Sequence, residues 1–258
     1  MSASMNTILI VGGTSGIGEN FAKRFHKMGK KVIVTGRRSN RLEEMEKSLP
    51  GLSTYTMDMA NLSALPKDVE NLFSTFADID TVWINGGIQY ASSVKDLSST
   101  TDEKVSEEIT INVTAPIILG RHIIPQLLKQ KGETNFMITS SGLGYVPVGS
   151  LFPAYCPTKA AIHYYLVGIR QALQGANVNV LELVPPYVGG TELGAEHADK
   201  VGGLTPMPME DFTNEVFEKL EKNEAKDLRE IGAGSAQPRV DAWRSSIGEM
   251  LAKSGLGG

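Results

Sequence analysis

Short apolar runs alternate along the chain with longer segments in which apolar residues recur every three or four positions. A short β-branched run predicts a buried strand of a parallel sheet, whereas the longer period predicts an amphipathic helix. The runs predict strands at residues 7–11, 31–35, 52–57, 81–84, 135–139, 177–184 and 229–232. The longer periods predict helices at residues 17–28, 39–49, 65–76, 102–130 (strained where Pro116 and Gly120 interrupt it), 154–173, 209–224 and 240–252.

The alternation of strands and helices, with short connections, indicates an α/β protein. We expect a Rossmann-type, doubly wound, mostly parallel seven-stranded sheet with helices on both faces. No linker-like stretch precedes about residue 188, so we expect one domain over residues 1–258. Residues 189–208 are rich in glycine and proline, and we expect residues 189–224 to form a lid inserted within this domain.

Composition excludes several classes of protein. The 258 residues carry a net charge of −4, which argues against a nucleic-acid surface. No apolar run approaches the roughly 18 residues of a membrane span, so no membrane insertion is expected. One cysteine and four histidines without ligand spacing predict neither a disulfide framework nor a metal site. We therefore expect a protein of the cytoplasm.

A glycine-rich turn directly follows the first predicted strand. Gly12, Gly16 and Gly18 permit a tight turn, close approach of the backbone to a pyrophosphate, and close packing of helix on strand. The helix that follows offers free N–H groups and a positive dipole to phosphates. The motif predicts a dinucleotide site, with Thr14, Ser15 and Ile17 among its lining residues; the alternative is a turn with no ligand.

The residues after the second strand indicate which dinucleotide binds. An acidic residue is usual there when the cofactor is NAD, because it bonds the ribose 2′-OH. This chain has Arg37 and Arg38 instead, and guanidinium groups bind phosphate oxygens in pairs. The pattern favours NADP(H), and the alternative is a solvated basic turn.

A Tyr-x3-Lys pair supplies the candidate chemistry. Tyr155 and Lys159 are one helical turn apart and share a face. Ser140 and Ser141 end the fifth strand at the carboxyl edge, where doubly wound folds bind ligands. Asn112 stands inside a predicted helix, where asparagine is locally unfavourable and needs a reason.

These motifs, in this order over about residues 6–192, resemble the short-chain dehydrogenase/reductase family, and within it most closely the DltE-like branch. The resemblance implies a catalytic tetrad of Asn112, Ser141, Tyr155 and Lys159, with Ser140 as the rival of Ser141. It also implies a homodimer or homotetramer. The cofactor contacts that it implies, in addition to the glycine turn and the arginines, are Asp58, Asn85, Gly86, Tyr155, Lys159, Pro185, Val188 and Thr191.

The resemblance and the residues together predict an NADP(H)-dependent oxidoreductase that reduces an apolar ketone or aldehyde to an alcohol, reversibly. Tyr155 would act as acid and base, its pKa lowered by the Lys159 ammonium. Epimerase, dehydratase or imine reductase chemistry, or an NADP-sensing binding protein, are the alternatives. Mostly apolar residues are expected to wall the substrate pocket, with ordinary packing as the alternative for each: Gln89, Leu143, Tyr145, Tyr187, Leu193 and His197.

Overall fold

The computed structural model describes residues 5–195 and 203–256, with seven strands and eleven α-helices in that part of the chain. The strands are β1 (Thr7–Val11), β2 (Lys31–Gly36), β3 (Ser53–Thr56), β4 (Thr81–Ile84), β5 (Thr134–Thr139), β6 (Val178–Val184) and β7 (Glu230–Gly232). The helices are α1 (Gly16–Lys27), α2 (Ser39–Ser48), α3 (Leu65–Thr75), α4 (Asp102–Ile109), α5 (Ala115–Leu127), α6 (Gly142–Tyr145), α7 (Tyr155–Ala172), α8 (Glu192–Ala195), α9 (Met209–Lys222), α10 (Gln237–Trp243) and α11 (Glu249–Lys253).

The strands form a single sheet in the order β3-β2-β1-β4-β5-β6-β7, and every pairing is parallel. The predicted fold class is confirmed. The strand order reverses between β1 and β4, and a crevice opens beyond the carboxyl ends of strands at such a point. The loops that follow β1, β4 and β5 therefore meet at one edge of the sheet.

Apart from the edge strand β3, whose residues are half-buried or exposed, the sheet is buried on both faces, as the continuous apolar runs predict. Alternate residues of β1 enter different cores: Leu9 packs with α3, α5 and α7, whereas Ile10 packs with α1 and α9. Phe21 of α1 is fully buried and lies 4.9 Å, centroid to centroid, from the ring of Trp83 in β4. The helices packed on the two faces of the sheet hold in place the edge at which the site lies.

The single helix predicted over residues 102–130 is in fact two helices. The helical hydrogen bonding changes to a π-type turn over Thr110–Thr114, between α4 and α5. Pro116 stands at the start of α5 and has no N–H to donate to the preceding turn, which is consistent with irregular bonding there. Gly120 does not interrupt the helix and is buried within α5. Its lack of a Cβ lets the Tyr165 hydroxyl approach the helix.

The segment between β6 and α9 is shorter than the predicted lid. The structure places α9 in the core, where Phe212, Phe217 and Leu220 are buried against α1. Two backbone hydrogen bonds close the base of the segment: the Met207 N–H donates to the Tyr187 carbonyl at 2.8 Å, and the Gly189 N–H donates to the Met207 carbonyl at 2.9 Å. Residues 209–222 of the predicted lid are therefore part of a core helix, and a lid over the rest of the segment stays a prediction. His197 lies outside the described residues.

Candidate active site

The glycine turn packs directly on the loop after β4. Gly12 has a φ of +80°, and a Cβ there would lie 2.4 Å from the Cα of Gly86. The Asn85 side chain joins both loops to β5: its Nδ2 donates to the Gly12 carbonyl at 3.0 Å, and its Oδ1 accepts from the Thr139 hydroxyl at 3.0 Å. A Cβ at Gly18 would lie 2.4 Å from the Gly12 carbonyl oxygen. The turn thus leaves its backbone and the start of α1 free to receive a phosphate group.

Arg38 reaches across the mouth of this turn. Its Nη2 donates to the Ser15 hydroxyl at 2.9 Å and to the Thr14 hydroxyl at 3.2 Å. Its Nη1 donates to both carboxylate oxygens of Glu192, at 2.9 and 3.1 Å, and Arg38 holds the pKa of Glu192 below its usual range. Arg37 is exposed. Sequence reasoning treated the two arginines alike and missed Glu192, which has no sequence signal that links it to residue 38.

Tyr155 and Lys159 lie where the Tyr-x3-Lys spacing places them, on the first turns of α7. Both are buried, and the Lys159 Nζ lies 5.6 Å from the centre of the Tyr155 ring. That Nζ donates to the Thr139 carbonyl at the end of β5, at 3.0 Å. The ammonium group is therefore fixed between the tyrosine and the strand edge.

The two serines that end β5 have different environments. The Ser140 hydroxyl is buried and donates to the Glu182 carboxylate. The Ser141 hydroxyl accepts from the Leu143 N–H at 3.1 Å and also hydrogen-bonds Tyr155. Ser141 is thus the serine beside the phenol, in agreement with the choice made from the sequence.

Asn112 lies within the π-type turn, which explains an asparagine at a helical position. Its side chain exchanges two hydrogen bonds with the Ile88 backbone, at 2.9 and 2.7 Å, and donates to the Thr158 hydroxyl at 3.2 Å. The asparagine thereby joins α7 to the loop after β4. All four predicted tetrad residues are brought to one edge of the sheet.

Burial dominates the ionisation of the tyrosine and the lysine. It raises the pKa of Tyr155 above its usual value, and the hydrogen bond from Ser141 only partly opposes this. It lowers the pKa of Lys159 to about 8, against the attraction of the Glu108 and Glu182 carboxylates. In the chain alone, desolvation of the buried phenol raises the Tyr155 pKa, so the lowering expected from the Lys159 ammonium and an oxidised nicotinamide stays a prediction for the complex with the cofactor. Tyr155 is therefore a protonated phenol at neutral pH.

The buried tyrosine belongs to an apolar cluster. Leu143 and Leu193, both expected in the pocket, pack against a cluster of Phe152, Tyr155 and Cys156. Sequence reasoning missed Phe152, which precedes α7 and gave no periodic signal. The cluster is the candidate wall for a substrate.

Tyr145 does not face this cluster. Its hydroxyl lies 2.9 Å from the His163 Nδ1, and its ring packs near Val184 and Val240. The polar contact to a buried histidine holds the tyrosine on the β6 and α10 side. Gln89 and Tyr187 are half-buried in the loops after β4 and β6.

The remaining predicted cofactor residues follow β3 and β6. Asp58 is exposed just after β3, where its carboxylate accepts from the Ala60 N–H at 2.9 Å. Pro185 follows β6, and its carbonyl accepts from the Gly142 N–H at 3.0 Å. The Thr191 hydroxyl donates to the Val188 carbonyl at 3.1 Å, and its side chain lies beside Gly16. Half-buried Ile17 lies within the first turn of α1.

Neither a metal-ligand cluster nor a membrane-spanning helix is found among the described residues. Across residues 5–195 and 203–256, no three histidine, cysteine, aspartate or glutamate side chains cluster as metal ligands would. In the same part of the chain, no helix is long and apolar enough to cross a membrane.

Comparison with known proteins identifies the family to which the chain belongs. Residues 6–202 match the family model described as short chain dehydrogenase. The chain is 35% identical over 204 residues to the uncharacterized oxidoreductase DltE of Bacillus subtilis, across 78% of this chain and 79% of that protein. It is 30% identical over 221 residues to serine 3-dehydrogenase of Agrobacterium fabrum, across 82% of this chain and 86% of that protein.

Solved structures show the same fold. A short-chain dehydrogenase from Sphingobium yanoikuyae in complex with NADPH superposes with a TM-score of 0.79 at 21% identity, covering 96% of this chain and 95% of that one. The closed form of a serine dehydrogenase complexed with NADP⁺ gives 0.76 at 24% identity, covering 88% and 94%. The chain is therefore an oxidoreductase of the short-chain dehydrogenase/reductase family, similar to DltE.

Proposed function

We propose that the protein is an NADP(H)-dependent oxidoreductase that interconverts an apolar ketone or aldehyde and its alcohol. The observation that carries the proposal is the meeting of Ser141, Tyr155 and Lys159 at the edge where Gly12 and Arg38 form a phosphate-binding surface. A binding protein that only senses the nucleotide would have no need of a buried phenol beside a serine hydroxyl.

The residues around the glycine turn fit a dinucleotide. The close approach of Gly12 to Gly86, and of Gly18 to Gly12, leaves no space for a Cβ but keeps the backbone open to phosphate oxygens. Arg38, Thr14 and Ser15 offer donors for a 2′-phosphate. Two solved structures of this fold are described with NADP⁺ and NADPH. The bound nicotinamide would supply or accept the hydride.

The side chains can manage the proton that accompanies the hydride. Ser141 hydrogen-bonds the substrate oxygen and holds it beside the Tyr155 hydroxyl. Tyr155 is protonated at neutral pH because burial raises its pKa, so it is ready to donate in the direction of reduction. The Lys159 ammonium stabilises the tyrosinate that is left. Asn112 holds the loop after β4 in place and would keep a water that links Lys159 to solvent.

The cluster of Leu143, Phe152 and Leu193 beside Tyr155 supports the proposed substrate class. Apolar walls with a few convergent polar groups suit an apolar carbonyl compound. The relatives' names include serine 3-dehydrogenase and NADP-dependent 3-hydroxy acid dehydrogenase. Hydroxy acids are therefore the second substrate class to test.

Turnover is tested with purified protein and both classes of substrate. NADPH oxidation is followed with aliphatic and aromatic ketones and aldehydes, and NADP⁺ reduction with serine and 3-hydroxy acids. We expect turnover of at least one apolar carbonyl compound that Tyr155→Phe abolishes. Tight NADPH binding with no turnover of any compound would refute the oxidoreductase assignment, and turnover of hydroxy acids alone would refute the substrate class.

We also infer that the protein works as a homodimer or homotetramer in the cytoplasm. Ile109, Ile117 and Tyr164 are exposed on α4, α5 and α7, which supports an interface on these helices. The single buried cysteine supports a reducing compartment. Sedimentation or light scattering of the purified protein would test the oligomer.

A further inference from the structure

Glu108 is a buried carboxyl group next to the tetrad that the mechanism above does not use. It lies in α4 and is 1% exposed. Its Oε1 accepts a hydrogen bond from the Tyr90 N–H at 2.9 Å. Its Oε2 is also buried, and no described residue hydrogen-bonds it. An anion in this position is strongly destabilised unless an opposite charge compensates it.

The loop at residues 87–90 brings Glu108 and Lys159 into one polar cluster. Glu108 binds the loop at Tyr90, and Asn112, one helical turn further on, binds it at Ile88. At the other end of the loop, a Cβ on Gly87 would lie 3.4 Å from the Lys159 Nζ. The carboxylate is therefore hydrogen-bonded to one end of this loop, and the ammonium group, held by the Thr139 carbonyl, lies beside its other end.

Each of these two charges favours the charged form of the other. Burial raises the pKa of Glu108 to about 7, and the Lys159 ammonium opposes that rise. Burial lowers the pKa of Lys159 to about 8, and the carboxylates of Glu108 and Glu182 oppose that fall. Burial raises the pKa of Tyr155 and of Cys156, and the Glu108 charge adds to the rise in both.

Glu108 and Glu182 differ in what they can contribute. Both oxygens of Glu182 are engaged, one by the Ser140 hydroxyl and the other by the His163 Nδ1 at 2.8 Å. Glu108 has one backbone hydrogen bond and one unengaged oxygen. Of the two carboxylates that act on Lys159, Glu108 is therefore the one to which no described side chain hydrogen-bonds.

We propose that Glu108 is a positioning residue whose buried carboxylate keeps the Lys159 ammonium charged, and thereby sets the pH range in which Tyr155 passes its proton. The second half rests on the proposed function, whereas the first half is a property of the chain itself. A neutral Lys159 would not stabilise a tyrosinate, so losing the Glu108 charge narrows the active range from its alkaline side.

The first experiment measures the charge of Lys159 without turnover. The protein is labelled with [¹³C]lysine, the Cε signal is titrated by NMR, and Lys159→Arg assigns the signal. Glu108→Gln should lower the Lys159 pKa by about one unit. The control is Glu107→Gln, which removes the same charge from the half-buried neighbour whose carboxylate bonds the Tyr90 hydroxyl at 2.8 Å. An equal Lys159 pKa in Glu108→Gln and the unmodified protein overturns the proposal.

The unmodified protein supplies a second measurement if Glu108→Gln does not fold. Because the carboxylate and the ammonium group titrate as a coupled pair, the Lys159 signal should show an additional inflection near pH 7, where Glu108 ionises. A single-step titration of Lys159 contradicts the proposal without any variant. Both NMR results stand even if no carbonyl compound is turned over, so they separate this proposal from the proposed function.

The activity experiment compares the pH dependence of kcat/KM for carbonyl reduction. The alkaline limb of this profile is the pH range over which kcat/KM falls as the pH rises. In Glu108→Gln it should move to lower pH by about one unit, as the pKa of Lys159 does. Glu107→Gln should keep the original limb, and so should Glu108→Asp, which retains the charge. A uniform fall in kcat/KM with an unmoved limb would show that Glu108 only supports the fold, and it would overturn the proposal.

Discussion

Replacing Arg38 with alanine should remove the preference for NADP(H) over NAD(H). The Arg38 guanidinium is the cation that the structure holds at the glycine turn, through the Thr14 and Ser15 hydroxyls. A 2′-phosphate bound there would accept charge-assisted hydrogen bonds from the same fork of N–H groups. NADH has no 2′-phosphate, so its affinity does not depend on these bonds.

The magnitude follows from the number and exposure of the contacts. Hydrogen bonds to charged groups contribute about 1.5–3 kcal/mol each when well buried. The Arg38 side chain is 35% exposed, so solvent weakens its interactions. We therefore assign to all the hydrogen bonds of its guanidinium group together the free energy of one such bond. Since about 1.4 kcal/mol is a factor of ten, Arg38→Ala should weaken NADPH binding roughly 10- to 100-fold.

The assay is the dissociation constant of each coenzyme, measured by the fluorescence of bound NADPH and NADH. Arg37→Ala is the matched control, because it removes an equal charge from the exposed neighbouring position. We expect Arg37→Ala to change NADPH affinity by less than about threefold, as a screened surface charge does. Equal losses in both variants, or an equal loss of NADH and NADPH affinity in Arg38→Ala, would refute the assignment of Arg38.

Three further outcomes test the site. Tyr155→Phe should lower kcat/KM by about 10²- to 10⁴-fold while the NADPH dissociation constant stays unchanged; weaker NADPH binding would mean that the phenol serves the cofactor instead. Glu192→Gln should tighten NADPH binding about two- to fivefold, because its carboxylate no longer competes for Arg38; no gain in a titration would contradict that competition. Gly18→Ala should lower the melting temperature and the NADPH affinity, since its Cβ would press on the turn at 2.4 Å, whereas Gly132→Ala, with open space around it, should change neither.

The strands and the placement of the Tyr155–Lys159 pair could be predicted because their signals are local. Each strand bound agrees with the prediction to within one residue, since short apolar runs between turn residues are read directly. Tyr155 and Lys159 lie one helical turn apart, which fixes their common face before any fold is known. The choice of Ser141 over Ser140 came from the family pattern, and the structure supplies its physical reason in the bond from Ser140 to Glu182.

The break at 110–114 could not be predicted from local periodicity. Apolar spacing continues through residues 102–130, and a π-type turn differs from an α-helix only in which carbonyl each N–H reaches. Two residues indicated an irregularity: Pro116, which interrupts the pattern just after the turn, and Asn112, which is unfavourable in a regular helix and binds a loop from a different part of the sheet. An unfavourable residue inside a strong pattern thus indicated a tertiary contact but not its partner.

The charges that tune the site were missed for a related reason. Glu192 hydrogen-bonds Arg38 across 154 positions of the chain. Glu108 and Lys159 are related only through the loop at 87–90, which the Glu108 carboxylate binds at Tyr90 and beside which, at Gly87, the Lys159 ammonium group lies. In the sequence both are ordinary glutamates in charged segments, where a solvated surface is the usual interpretation. Burial is what distinguishes them: Glu192 is exposed, whereas Glu108 is 1% exposed and burial raises its pKa to about 7 against the opposing charge of Lys159. The exposed Glu192 can therefore give up Arg38 to a ligand, whereas the charge of the buried Glu108 is linked to that of Lys159, which is the basis of the proposal above.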